Sequence, residues 1–242
     1  MNKATKMTSR PSQARLSSPD QIVRNIIQGL YEGQFVAGQR LIEPDLMSRY
    51  AVSRGTVREA IKRLAAEGVA TQTTYRGAHI RHLSRSEARD VLQLLEITIG
   101  LAARLAASNM DLLGAREQFT AAHKNLMTFV DSPDSFEFVR VRNQFYRAMT
   151  IAGGNRELER LMPGFQVHLI RTHLKQPQNE RFADYRVMAE AILAGNKKTA
   201  EAAAQKHIRR VSEALNNIPD STFAPDATNQ QRQFEDEDLN HA

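Results

Sequence analysis

The sequence predicts a mainly α protein: a winged helix-turn-helix with a small β-hairpin wing, followed by an antiparallel all-α bundle of six to seven helices. Three observations carry this reading. Pro and Gly number only 8 and 12 in 242 residues and aromatics make up 6%, a composition that favours helix over sheet. Apolar residues recur at helical spacing from residue 18 to residue 217, interrupted near 69–82, where β-branched residues flank a turn signal. The length exceeds that of one usual domain and accommodates two compact units with tails.

Residues 1–17 are polar and aperiodic and contain Pro11, so they read as a disordered basic arm. A first helix begins at Ser18-Pro19-Asp20, with Ser18 as a cap and Pro19 suited to the first turn. Ile22, Ile26, Ile27 and Leu30 form its apolar face, and Gly33 ends it. Leu41 and Ile42 make a brief extended pair before Pro44 opens a short helix that buries Leu46 and Met47 and runs to about Tyr50. Only Ala51 and Val52 then precede Ser53, a good N-cap for a third helix.

In that third helix Val57, Ala60, Ile61, Leu64 and Ala65 make an apolar stripe, while Arg54, Arg58 and Lys62 recur every fourth residue on another face. Glu59 is placed to pair with Arg63, and Gly68 to stop the helix. Val69 to Thr74 and Ala78 to His82 flank a turn at Tyr75-Arg76-Gly77 and read as a hairpin. A DNA-binding unit over 18–82 follows from this order of elements.

From Ser84 the pattern changes to an all-helical unit spanning 84–217. Ser84 and Glu87 form a capping box for a long helix to about Ala107, and further helices are expected at about 112–130, 134–152, 155–174, 178–194 and 197–217. Pro163-Gly164 should kink or break the fourth of these. Short links such as Gly153-Gly154 and Gly195-Asn196 make successive helices antiparallel neighbours. Residues 218–242 are read as a disordered acidic tail.

Charge distribution says more than the net +6. Residues 1–81 hold 13 Lys/Arg against 6 Asp/Glu, residues 82–217 hold 19 against 15, and residues 218–242 hold 1 against 6. A basic N-terminal third is the footprint of a polyanion-binding module. The absence of cysteine excludes disulfides, thiolate metal sites and a Cys nucleophile, and fits a reducing cytoplasm. No run of 18 apolar residues occurs and the N-terminus lacks the apolar stretch of a secretory signal, so a soluble, cytoplasmic chain without membrane contact is expected. The seven histidines are scattered and neither HExxH nor GxSxG is present, so no enzyme is expected.

A recognition helix enters the major groove by its N-terminal residues, where backbone NH groups meet phosphate and long basic side chains reach guanine edges. Ser53, Arg54, Gly55, Thr56 and Arg58 occupy that end. Arg54 and Arg58 are expected to contact base or phosphate and Ser53 and Thr56 to offer hydroxyls to phosphate, while Gly55 permits close approach and Lys62 extends the basic face. Arg76 and Gly77 at the wing tip would meet the adjacent groove. With no aromatic stacking platform, duplex DNA is preferred over RNA.

Leu41-Ile42-Glu43-Pro44-Asp45-Leu46, the stretch Tyr50 to Gly68 with its "VSR..VREA..RL..EG" core, and Tyr75-Arg76-Gly77-Ala78 together resemble the GntR family of bacterial regulators. Gly100 to Ala107, Ala152-Gly153-Gly154-Asn155 and Ala191 to Asn196 resemble the helical effector domain of its fatty-acid-regulator-like, or FCD, branch. The resemblance implies a homodimer on a palindromic operator, most simply a repressor of a metabolic operon, whose DNA affinity changes when a small metabolite, often a carboxylate, enters the bundle. A constitutive or architectural DNA-binding protein with no effector is the alternative.

Three helices place polar residues on apolar stripes. Arg142 shares one with Phe138, Phe145 and Met149, bordered by Tyr146; Tyr185 lies with Met188 and Ile192; His207 lies among Ala200, Ala203, Ala204, Val211 and Leu215. A buried arginine calls for an anionic partner, either a carboxylate of the protein or a bound one. Many members of the resembling branch bind a divalent metal through an Asp and three His, and those positions fall here on Arg142, Tyr146, Tyr185 and His207. No metal and no other cofactor is therefore expected. Arg142 is expected instead to supply the fixed positive charge, with Tyr146, Tyr185 and His207 as hydrogen-bond partners of an acidic effector. The arginine that commonly grips the ligand carboxylate near the start of the effector domain is replaced by Leu95.

Overall fold

In the computed structural model of the chain, residues 18–73, 77–132, 134–161 and 177–226 are described. The basic arm at 1–17, the wing tip with Arg76, Pro163-Gly164 and the far tail fall outside them. The first unit comprises α1 (Ser18–Tyr31), β1 (Arg40–Leu41), α2 (Glu43–Tyr50), α3 (Arg54–Ala66), β2 (Ala70–Thr73) and β3 (Gly77–Ile80). Its core is small: Ile22 and Ile26 of α1, Leu46 of α2 and Val57, Ile61 and Leu64 of α3 close over Ala78 and Ile80 of the sheet.

The expected two-stranded hairpin is a three-stranded antiparallel sheet in the order β1-β3-β2. Arg40 pairs with His79 and Leu41 with Ala78, so the extended pair read at Leu41-Ile42 becomes the sheet's third strand, one residue earlier. Ile42 instead caps α2. The two-residue turn between α2 and α3 is made by Ala51 in the left-handed region (φ 51°), whose NH returns to the Met47 carbonyl. A non-glycine residue tolerates this at a cost of about 1 kcal/mol, which the packing of both flanking helices offsets.

The second unit is helical: α4 (Arg85–Ser108), α5 (Ala115–Met127), α6 (Phe136–Gly153), α7 (Arg156–Leu161), α8 (Gln178–Leu193) and α9 (Lys197–Ala214). The capping box at Ser84 and Glu87 is present. Among the described helices α4 has the length and apolarity to cross a bilayer, but Leu92, Leu95, Ile99, Ala102, Ala103 and Ala106 spend its apolar stripe on the bundle core. It packs along α9, α6 and α8. Where α4 meets α9 a Cβ on Gly100 would lie 2.8 Å from Gln205 Cγ, so glycine is what lets the helices approach.

Residues 218–226, read from the sequence as part of a disordered tail, fold back on the chain. Leu215–Asn217 and Asp220–Thr222 form short 3₁₀ turns, and residues through 226 return to the segment joining the two units. Arg85 holds them by donating to the carbonyls of Leu215 (2.6 Å) and Ile218 (2.5 Å) and to Asp220 (2.6 Å), with its guanidinium 4.5 Å from the Phe223 ring centre. The Ala224 NH bonds to the Leu83 carbonyl, His82 Nε2 lies 3.0 Å from the Thr222 carbonyl, and Ser86 bonds to Asp226. The polar composition of this stretch concealed its carbonyls, which serve one arginine 130 residues upstream.

Candidate nucleic-acid interface and buried polar cluster

The N-terminal turn of α3 is capped and lies at the surface. Ser53 caps it, accepting from the Thr56 NH (3.2 Å), and the Ser53 and Thr56 hydroxyls lie 2.9 Å apart. Gly55 is open: a Cβ there would meet only Ser53 Oγ, at 3.8 Å, so nothing within the described chain demands glycine. Arg54 and Arg58 project outward, 59% and 61% exposed, and Lys62 continues the face one turn on. On the wing, Gly77 adopts φ +78° beside the exposed Arg40 guanidinium.

Sequence reasoning missed Glu43. Its two carboxylate oxygens take Arg54 Nε (3.2 Å) and Arg58 Nε (2.9 Å), so one acidic side chain from the first turn of α2 orients both arginines. The motif spacing contains Glu43, but only the crossing of α2 over α3 shows what it faces. Arg40 was likewise passed over because the strand that carries it has two residues.

In the bundle, the four polar residues picked from three helices come together. Arg142, Tyr185 and His207 are buried and Tyr146 is partly so. The Tyr146 and Tyr185 rings meet edge to face at 6.3 Å, and the Tyr185 and His207 rings are 4.8 Å apart. Burial pushes both phenols up, Tyr146 well above the ordinary range, so each is a neutral hydroxyl at neutral pH. Burial also holds the His207 imidazole below its ordinary value, against the pull of Asp184 Oδ2 at 3.3 Å from Nδ1.

The charges around this cluster are divided unevenly. Arg181, also buried, donates to both oxygens of Asp134 (2.6 and 3.1 Å). Burial pushes the Asp184 carboxyl up, but His207 and Arg210 (2.7 Å) outweigh it and leave it below the usual carboxylate range. Arg142 is 3% exposed; its Nε and Nη2 reach the uncharged Asn143 Oδ1 (3.3 and 2.9 Å), and its buried Nη1 meets no acceptor of good geometry among the described residues. No carboxylate lies within ion-pair distance of it among the described residues. A divalent cation does not fit beside a buried guanidinium and two neutral phenols, and no group of three carboxylate or imidazole side chains gathers among the described residues.

A winged helix with an exposed basic recognition turn, joined to a helical bundle enclosing a polar cluster, defines a DNA-binding transcriptional regulator. Residues 19–80 match the family model of bacterial regulatory proteins of the gntR family, and residues 87–210 match the FCD domain. The chain therefore belongs to the GntR family, with an FCD-type second domain, and is a regulator rather than an enzyme.

It is 23% identical over 198 residues to a probable D-xylose utilization operon transcriptional repressor of Paenarthrobacter nicotinovorans, covering 80% of this chain and 87% of that one. Over 77 residues it is 39% identical to the HTH-type transcriptional regulator BphR of Paraburkholderia xenovorans, covering 28% of this chain and 31% of the relative. In fold it resembles a GntR-type regulator from Rhodococcus sp. RHA1 (TM-score 0.66, 18% identity, 84% of this chain and 99% of the other). It likewise resembles E. coli McbR/YncC (TM-score 0.69, 17% identity, 84% and 98%).

Proposed function

We propose that this regulator is a cytoplasmic, homodimeric repressor of a metabolic operon that binds a palindromic operator and responds to a small carboxylate in the helical domain. The observation that carries the DNA reading is the capped, outward-facing turn of α3, which presents Arg54 and Arg58 already oriented by Glu43. Thr56, Lys62, Gly77 and Arg40 extend the surface toward the wing, and Arg76 is assigned with them from the sequence. Duplex half-sites one helical turn apart demand two copies. The outer face of α4 supports self-association, since Leu94 and Ile97 stand 57% and 64% exposed one turn apart, with Leu101 following.

The effector reading rests on Arg142, a buried cation with no carboxylate at ion-pair distance among the described residues. An acidic metabolite supplies that charge, with Tyr146, Tyr185 and His207 as neutral hydrogen-bond partners. Footprinting on the DNA around the chain's own coding sequence, with and without organic acids, tests both halves. Discrete inverted repeats whose protection changes with one acid are expected. Broad protection insensitive to every acid would favour a constitutive architectural protein.

A further inference from the structure

We propose that residues 215–226 are a clasp on the joint between the two units, and that by fixing the angle of the DNA-binding unit the clasp selects operators with one spacing of half-sites. This rests on the dimeric operator reading above and adds what sets the distance and phase of the two recognition helices.

The joint is short. β3 ends at Ile80 and α4 begins at Arg85. At its near end the Arg81 NH is bonded to the Val69 carbonyl of the DNA-binding unit, and at its far end Ser84 and Glu87 cap α4. Between them Leu83 buries its side chain in the bundle core, so the freedom that remains lies at His82 and the Leu83 carbonyl. The C-terminal segment meets both. His82 Nε2 lies 3.0 Å from the Thr222 carbonyl, and the Leu83 carbonyl accepts from the Ala224 NH at 3.0 Å. Ser84 and Ala224 pair there as parallel strands do. The His82 ring also reaches the DNA-binding unit, its Nδ1 3.7 Å from where a Cβ on Gly38 would stand.

Arg85 anchors the clasp. Its side chain is 19% exposed, and it donates to the carbonyls of Leu215 and Ile218 and to Asp220 Oδ1. Leu215 and Ile218 are buried in the bundle core, so the root of the clasp is held by apolar packing and its tip by the bonds at the joint.

Two supports fix an angle where one leaves a swivel. A second contact between the units stands at the C-terminal end of α1, where the Tyr31 ring meets that of Phe136 on α6 at 6.2 Å. Within the DNA-binding unit α1 and α3 share one core, so Arg54 and Arg58 turn with the unit as a whole. On the other side of the joint, α4 leads in about 14 Å from Arg85 to Leu94, where its exposed apolar face begins. The joint therefore lies between the pairing surface and the recognition helix, and its angle sets the separation of the two recognition helices in a dimer. One base pair more or less moves a half-site by about 3.4 Å along the duplex and roughly 34° around it, beyond what a hydrogen bond tolerates.

The test is affinity by fluorescence anisotropy for duplexes selected from a random pool, with the two half-sites at the selected spacing, one base pair closer and one base pair further apart. A duplex with a single half-site is the reference. Full-length wild type, Arg85→Ala, Ala224→Pro and Ala224→Gly are compared. Proline removes the NH that Leu83 accepts, and the extended Phe223 before it (φ −104°, ψ 153°) admits it, whereas glycine keeps that NH. Wild type and Ala224→Gly are expected to bind the selected spacing about tenfold or more above either altered one. Arg85→Ala and Ala224→Pro are expected to bind the three within about threefold of one another, and the best of them about tenfold more weakly than wild type, because loose units must be ordered on binding. Their affinity for the single half-site should equal wild type. A preference as sharp in Ala224→Pro and Arg85→Ala as in wild type overturns the clasp and leaves the dimeric operator reading standing. So does a wild type that gains from the second half-site but is indifferent to its spacing. No gain from the second half-site in wild type overturns both. Should Arg85→Ala fail to fold, Ala224→Pro against Ala224→Gly decides, and an Ala224→Pro chain weakened alike on every duplex, the single half-site included, also overturns the clasp.

Discussion

Replacing Arg58 with alanine should separate DNA reading from folding. The side chain is 61% exposed and its ion-pair partner is Glu43, whereas α3 is held to the core by Val57, Ala60, Ile61 and Leu64, all buried. Losing one exposed ion pair costs about 0–1 kcal/mol, and alanine is a good helix former, so unfolding should move by no more than a few degrees. A guanidinium paired with a guanine edge is worth about 1–3 kcal/mol of discrimination, or about 2–6 kcal/mol over the two copies in a dimer. Operator affinity should then fall by about 30-fold to more than 10,000-fold.

Fluorescence anisotropy with a selected operator and a scrambled duplex, repeated across salt concentrations, gives the role as well as the size. If Arg58 reads a base, the scrambled duplex is bound almost as before and the salt slope is unchanged. If it holds a phosphate, both duplexes weaken alike and the slope falls by about 0.9 per copy. A folded variant binding its operator within about twofold of wild type would refute the assignment.

Three further outcomes are expected. Glu43→Gln frees both arginines from their ion pairs and removes a negative charge from the DNA face, so scrambled-duplex affinity should rise and the specific-to-scrambled ratio should fall; an unchanged ratio would show that Glu43 orients nothing of consequence. Burial depresses the His207 and His123 pKa values, so the unfolded chain binds protons first; stability is full above about pH 6.5 and is lost as pH falls from there through the folded values, by at most about 1.4 kcal/mol per unit for each histidine. Denaturant unfolding at a series of pH values checks this, and a flat profile between about pH 7 and 5 contradicts it. Arg85→Ala should release residues 215–226, costing about 2–4 kcal/mol and opening a protease site there; unaltered digestion would show the segment is held otherwise.

Most of the fold was legible because local rules and tertiary packing agree along this chain. Ser53, Ser84 and Gly68 mark helix ends by chemistry that acts within a few residues, and the apolar stripes of α3 and α4 face the cores that their period requires. The third strand was less visible, since two residues at β1 carry no periodicity and exist as a strand only through pairing with His79 and Ala78. The order of 218–226 was hidden for the same reason: its partners are Leu83, Arg85 and Ser86, and the segment is polar in itself.

The polar cluster divides in the same way. Arg142, Tyr185 and His207 stood out as polar interruptions of apolar stripes, which is a one-dimensional signal. Arg181 gave that signal too, one turn before Tyr185, and was passed over.

The account stands most directly on whether this chain distinguishes one duplex from another. Duplexes enriched from a random pool by the full-length protein, compared with scrambled versions by anisotropy at fixed salt, measure that ratio. A twofold-symmetric sequence bound about a thousandfold or more above its scrambled form is predicted, lost in Arg58→Ala. Equal affinity for both, falling together as salt rises, would contradict it.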